Sequence, residues 1–290
     1  MSETLDGRER VAKLIAARGM ASRREAEQWI REGRVQVNGK VLSEPGTMVD
    51  PKVDHVRVDG AVLPAEPAKV YYLMYKPRGF LTTRRDEEDR PTVQHLLERL
   101  PHRVEPVGRL DFDSEGALLL TNDGELAHRL AHPSTQVPRR YVAKVWRTPD
   151  EHTLERLRNG IRLEDGRTPP CKVRLAKGTD QGNAWVEITI TEGRNRLIRR
   201  MLAAVNHPVS KLRRESFATI SIRGMERGDV RALTAEEVGR LREIAEGKPA
   251  PLAGHTSKRK TGHAKAKIKP TRRGRKPLDA RRPRRYLSKA

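Results

Sequence analysis

Gly108-Arg109-Leu110-Asp111-Phe112-Asp113-Ser114-Glu115-Gly116 runs without a break into Ala117-Leu118-Leu119-Leu120. Four consecutive apolar residues between turn signals read as a strand buried on both faces. The acidic stretch before it, hemmed by glycines, reads as a loop that bends sharply and presents carboxylates. Asp111 and Asp113 could be a metal-binding D-x-D, an acid–base pair, or ordinary solvated acids; spacing alone does not choose among them.

Working outward, Asn122-Asp123-Gly124 turns into a helix through Leu126 and Leu130. Apolar runs and alternation predict strands over 70–75, 141–145, 173–175, 185–190, 209–212 and 219–222. Helices are expected over 93–100, over 195–205 and over 235–244, the last N-capped by Thr234. In the second of these, Ile198, Met201, Leu202 and Val205 form the apolar side. Arg199 sits one turn from Asn195 on the opposite side, where it suits a carboxylate partner or a phosphate. Strands dominate without a regular βαβ repeat, so the fold class is α+β, around a mixed, largely antiparallel sheet.

The first sixty residues carry a separate pattern. Val11, Leu14 and Ile15 suit one helical face that Gly19 ends. Ser22-Arg23-Arg24-Glu25 is a capping box opening a second helix, with Ala26, Trp29 and Ile30 turned inward and Gly33 as its stop. Val35-Gln36-Val37 alternates, Asn38-Gly39 is a tight hairpin turn, and Val41 begins the return strand. A further strand is expected over 56–58. Leu63-Pro64-Ala65-Glu66-Pro67-Ala68 reads as a linker. The resulting plan is a two-helix-plus-sheet domain over 8–62, a linker over 63–69, a larger domain over 70–246 and a basic tail over 247–290.

Charge is the strongest compositional signal. The chain has 290 residues, 60 Lys or Arg against 38 Asp or Glu, and a formal net charge of +22. The tail alone holds 16 Lys or Arg and one acid, Asp279. Rich in Gly and Pro and nearly without large apolar side chains, it is expected to be disordered and to act as an arm on phosphate backbones. A surplus of this size suits a polyanion, with nucleic acid ahead of an anionic membrane surface. No apolar run is long enough to span a bilayer, and the charged start lacks a signal-peptide core, so a cytoplasmic protein is expected. Cys171, the one cysteine, excludes an internal disulfide and a cysteine zinc cage; an incidental or buried thiol is expected there. His128 and His132 are four apart, but Arg129 stands where a metalloprotease helix carries Glu, and no third ligand is signalled. No bound metal is expected.

Two family resemblances rest on these residues. The stretch Ala21 to Glu27, with Gly33-Arg34-Val35-Gln36-Val37-Asn38-Gly39-Lys40, resembles the small RNA-binding domain named for ribosomal protein S-four. That resemblance implies RNA-backbone contacts for Arg23, Arg24 and Arg34. The Gly108-Arg109-Leu110-Asp111 loop and Glu192-Gly193-Arg194-Asn195-Arg196-Leu197-Ile198-Arg199-Arg200-Met201-Leu202 resemble RNA pseudouridine synthases of the RsuA/RluB type, the large-subunit RluB branch most. Lys76-Pro77-Arg78-Gly79, Arg90-Pro91-Thr92-Val93, residues 118–126 and His132-Pro133-Ser134 match as well.

The resemblance implies isomerisation of a specific uridine to pseudouridine in ribosomal RNA, with neither cofactor nor metal. It implies Asp111 as the carboxylate that acts on the nucleotide, Arg199 as its ion-pair partner and Tyr141 as the residue that stacks on the base. Arg109, Arg194, Arg196 and Arg200 are then phosphate contacts for an unstacked target. Ser114 for Thr, Ala117 for Leu and Leu197 for Gln or Glu depart from the family pattern; the last puts a polar base contact there in doubt. A monomer is expected. The competing readings are a non-catalytic RNA-binding assembly factor, a synthase acting on small-subunit RNA, and a metal-dependent phosphotransferase built on Asp111 and Asp113.

Overall fold

The structure is a computed structural model that describes residues 7–83, 86–178 and 182–249. From residue 250 onward the basic tail, expected to be disordered, lies outside the described residues.

Near the N-terminus, α1 (Val11–Ala17) and α2 (Arg23–Arg31) pack on a four-stranded antiparallel sheet of Val35–Val37, Lys40–Val41, Val56–Val58 and Ala61–Val62. The expected capping box forms: the Ser22 hydroxyl accepts from the Glu25 amide at 3.1 Å, and the Glu25 carboxylate accepts from the Ser22 amide at 2.8 Å. Asn38 and Gly39 both take positive φ, 51° and 80°, the conformation a two-residue hairpin turn demands. Val11, Ile15, Ala26, Ile30 and Val35 fill a core of their own.

The larger sheet contains β1 (Tyr71–Lys76), β2 (Ser114–Thr121), β3 (Arg139–Val145), β4 (Lys172–Gly178), β5 (Ala184–Ile190), β6 (Val209–Phe217) and β7 (Val230–Ala232). The spatial order is β4-β5-β3-β6-β2-β1-β7, with two short strands on β2 and β6 making nine among the described residues. Only the β6–β2 pairing is parallel; the rest are antiparallel. Alternation sends Tyr141, Ala143 and Val145 to one face of β3, where α3 (Gln94–Leu97), α5 (Glu151–Arg158) and α6 (Leu197–Ala204) share the core. On the other face, α4 (Gly124–Ala131) and α7 (Ala235–Ala245) cover Leu73, Tyr75, Ala117 and Leu119 of β1 and β2.

The expected strand at 117–120 is the centre of a longer one, buried nearly throughout. Helix α7 begins at its Thr234 cap as read, with a second capping box to Glu237. The α5 helix and the short edge strand β7 were not expected from the sequence.

Candidate active site

The acidic loop is held by backbone contacts on both sides. Buried Leu110 anchors it: the Thr82 hydroxyl donates to the Leu110 carbonyl at 2.7 Å and accepts from its amide at 3.2 Å. The Gly79 amide donates to the Phe112 carbonyl at 2.8 Å, and the Ser114 amide closes a turn on the Asp111 carbonyl at 3.1 Å. Asp111 is thereby fixed through its main chain while its side chain stays 33% exposed.

Lys76, at the end of β1, completes that scaffold. It is fully buried, and its Nζ donates to the carbonyls of Pro77 (3.2 Å), Asp111 (3.1 Å) and Ser114 (2.9 Å). Three carbonyls match the three protons of an ammonium. Burial pulls its pKa down to about 8, with the Asp111 charge pulling the other way. The site-residue reading missed Lys76, although its parity with the inward-facing Tyr72 and Met74 was visible in Tyr-Tyr-Leu-Met-Tyr-Lys.

The sheet register ties this lysine to Tyr141. A single cross-strand row runs Tyr141, Arg214, Gly116, Lys76 over β3, β6, β2 and β1. Three strand spacings put the ends of that row about 14 Å apart. Gly116 has φ +119°, and a Cβ there would lie 2.2 Å from the Arg214 carbonyl oxygen. Only glycine permits this approach. Arg214 is 2% exposed and donates from Nε to the Ala117 carbonyl at 2.6 Å, while its Nη2 is buried without a partner. Arg139 is also buried, donating to the Thr191 carbonyl at 2.9 Å; both guanidiniums lie over the Phe217 ring. Burial lowers the Arg139 pKa. Arg139 and Arg214 were likewise not singled out from the sequence.

The arginines of the 192–202 segment are arranged differently from the expectation. Arg199, 11% exposed, pairs with Asp113 (Nη2 to Oδ2, 2.9 Å), and also donates to the carbonyls of Asp113 and Val209. The expected Asp111–Arg199 ion pair is therefore corrected: Arg199 closes on the acid two residues later. Among the described residues, the guanidinium at ion-pair distance from Asp111 is that of Arg196, at 3.9 Å, which also reaches Asp113 at 3.4 Å. Burial lowers the Arg199 pKa, and the Asp113 charge opposes the shift.

The other arginines divide into engaged and open. Arg194 is occupied by Glu192 (2.7 Å) and Asp165 (3.0 Å), and Arg200 also holds Asp165. Arg34 forks onto Asp59 at 2.9 and 2.7 Å and lies over Trp29. All three are engaged in ion pairs within the fold, with the Arg34 side chain still 38% exposed. Arg23, Arg24 and Arg109 are exposed and make no ion pair among the described residues. Cys171 is half-buried, donates to the Leu157 carbonyl at 3.3 Å, and burial pushes its pKa up to about 11.

The sequence pattern of the family described as RNA pseudouridylate synthase matches residues 70–204, and that of the S4 domain matches residues 9–55. The chain is 46% identical over 239 residues to "Ribosomal large subunit pseudouridine synthase B" of Bacillus subtilis (strain 168), covering 82% of this chain and 97% of that protein. The chain belongs to the RNA pseudouridine synthase family. Similarity extends to an "Uncharacterized RNA pseudouridine synthase" of Mycobacterium bovis, 44% identical over 250 residues, covering 83% of this chain and 97% of the relative. A solved structure described as a pseudouridylate synthase superposes with a TM-score of 0.57 at 28% identity, over 80% of this chain and 99% of its own. As a pseudouridine synthase the chain is an RNA-modifying isomerase with an S4 RNA-binding domain ahead of its mixed sheet. No helix among the described residues is long and apolar enough to cross a membrane.

Proposed function

We propose that this synthase isomerises a uridine of large-subunit ribosomal RNA, with Asp111 as the reacting carboxylate. The observation that carries the reading is the Asp111 loop: its main chain is pinned by Thr82, Gly79 and Lys76, and its carboxylate remains accessible. A nucleophile held this way spends little ordering energy when substrate arrives.

The chemistry balances without an added reactant. The glycosidic C1′–N1 bond breaks, the uracil keeps the bonding pair, turns, and C5 bonds to C1′ as the C5 proton leaves and N1 takes one up. Attack of Asp111 on the ribose, attack on the base, and elimination to a glycal-like intermediate all begin from the same carboxylate. Tyr141, buried on the sheet face that shares its core with Leu110, is the proposed stacking partner of the base. Arg199 acts through Asp113, keeping the loop in place, and Arg196, 47% exposed, is the most exposed of the paired arginines of the 192–202 segment and is proposed to reach a phosphate. Arg109, Arg23 and Arg24 are proposed backbone contacts, worth affinity rather than sequence choice.

The RNA class rests on the names of relatives, three of which read "Ribosomal large subunit pseudouridine synthase B", and on the +22 charge. The division at 8–62, 63–69, 70–246 and 247–290 is the proposed domain plan. Mapping pseudouridines by chemical labelling and primer extension, in ribosomal RNA from cells with and without the protein, tests the assignment. Loss of a stop in large-subunit RNA is expected; an unchanged map, or a change confined to small-subunit RNA, overturns it.

A further inference from the structure

The half of the sheet away from α4 and α7 has an open face. On β3, Arg140, Val142 and Lys144 alternate with the buried residues of the Tyr141 face. The register aligns them with Thr189, Glu187 and Trp185 of β5 and with Ser216, Arg213 and Lys211 of β6. Lys172 and Arg174 of β4 extend the first two rows. Val142 and Trp185 join none of the three apolar cores among the described residues.

Among the described residues on β3 to β6, six cations stand on this face against two acids. Arg174 is neutralised by Glu187 at 2.9 Å and Arg213 by Glu215. Arg140, Lys144, Lys172 and Lys211 have no carboxylate at ion-pair distance among the described residues, and the Arg140 Nε is buried without a partner. Four uncompensated charges on neighbouring strands, around a half-exposed tryptophan, complement a phosphate backbone whose bases can lie against an aromatic ring. A protein partner would more often meet an apolar centre with charge confined to its rim.

We infer that this face, opposite Tyr141, is a second RNA-binding surface. It holds a segment of the ribosomal RNA substrate other than the one presenting the target uridine. The inference rests on ribosomal RNA being the partner, not on the role of Asp111. Because the two faces are separated by the sheet itself, a minimal stem-loop cannot occupy both, whereas a long RNA can.

The test is a full-length chain carrying Lys144→Gln, Lys172→Gln and Lys211→Gln. Its affinity for an unmodified transcript of large-subunit ribosomal RNA should fall about tenfold, and the slope of log K against log salt should shrink by about 2. Turnover of a minimal stem-loop carrying the target uridine should be unchanged, and the corresponding triple Lys→Arg variant should restore long-RNA binding. Unaltered affinity and salt slope would overturn the inference; so would equal weakening of the stem-loop, which would place the face on the catalytic path, or failure of the arginine variant to rescue. A wild-type chain that modifies no RNA, with the affinity loss intact, would sink the functional reading and leave this surface standing.

Discussion

Arg199 and Asp113 meet at 2.9 Å beside the first residues of β2 and β6, so the least exposed arginine of the 192–202 segment with a carboxylate partner holds the second acid of the loop, not the first. That division leaves Asp111 beside the more exposed Arg196 and ties Arg199 to Asp113.

Asp113→Asn should therefore impair the site without touching Asp111. Removing one partner from a largely buried pair should cost about 1–3 kcal/mol of stability. Steady-state kinetics should show a lower kcat with little change in KM. Arg199→Lys should not substitute, because an ammonium cannot repeat the fork onto Asp113 and the Val209 carbonyl.

Lys76 sets a limit on the alkaline side. Its folded pKa of about 8 lies below the ordinary lysine value. Between about 8 and the unfolded value the unfolded chain binds more protons, so on account of Lys76 global stability rises with pH there. Below pH 8 both states carry the proton and this contribution is constant. Activity should move the opposite way, because a neutral amine has two protons for three carbonyls and loosens the Asp111 loop. A pH–rate profile falling on its basic limb near pH 8, with no accompanying loss of thermal stability, is expected. Lys76→Met should abolish that limb along with most of the activity.

Gly116→Ala should disrupt the parallel β2–β6 pairing. Strain at positive φ and a contact with the Arg214 backbone together imply destabilisation of about 2–5 kcal/mol. Chemical denaturation measures it; a loss below 1 kcal/mol would contradict the close approach of these strands.

Cys171 should be chemically quiet. With its pKa pushed up to about 11 by burial, it has almost no thiolate at neutral pH, so alkylation should proceed far more slowly than for an exposed thiol. Cys171→Ser should leave turnover within about twofold.

Much of this arrangement was legible because it is local. The Ser22–Glu25 and Thr234 caps, the Asn38-Gly39 turn and the strict alternation of Arg139 to Val145 are short-range signals that the fold obeys. The α5 helix carries only Leu154 and Leu157 inward in eight residues, too sparse a stripe for its period to register. β7 is a three-residue edge strand that exists through its pairing with β1. The Arg199 partner was misassigned because Asp111 and Asp113 occupy the same loop, and only the loop's bend decides which carboxylate turns toward α6. Arg214 escaped notice for a related reason: a bulge at Glu215 brings it opposite Tyr141, and no count along the strand reveals it.

The most direct test of the account is Asp111→Asn assayed by tritium release from RNA labelled at uridine C5, since forming the new C5–C1′ bond expels that hydrogen. The account predicts no release above background while RNA affinity stays within about twofold of wild type. Sustained release by the Asp111→Asn chain would contradict it.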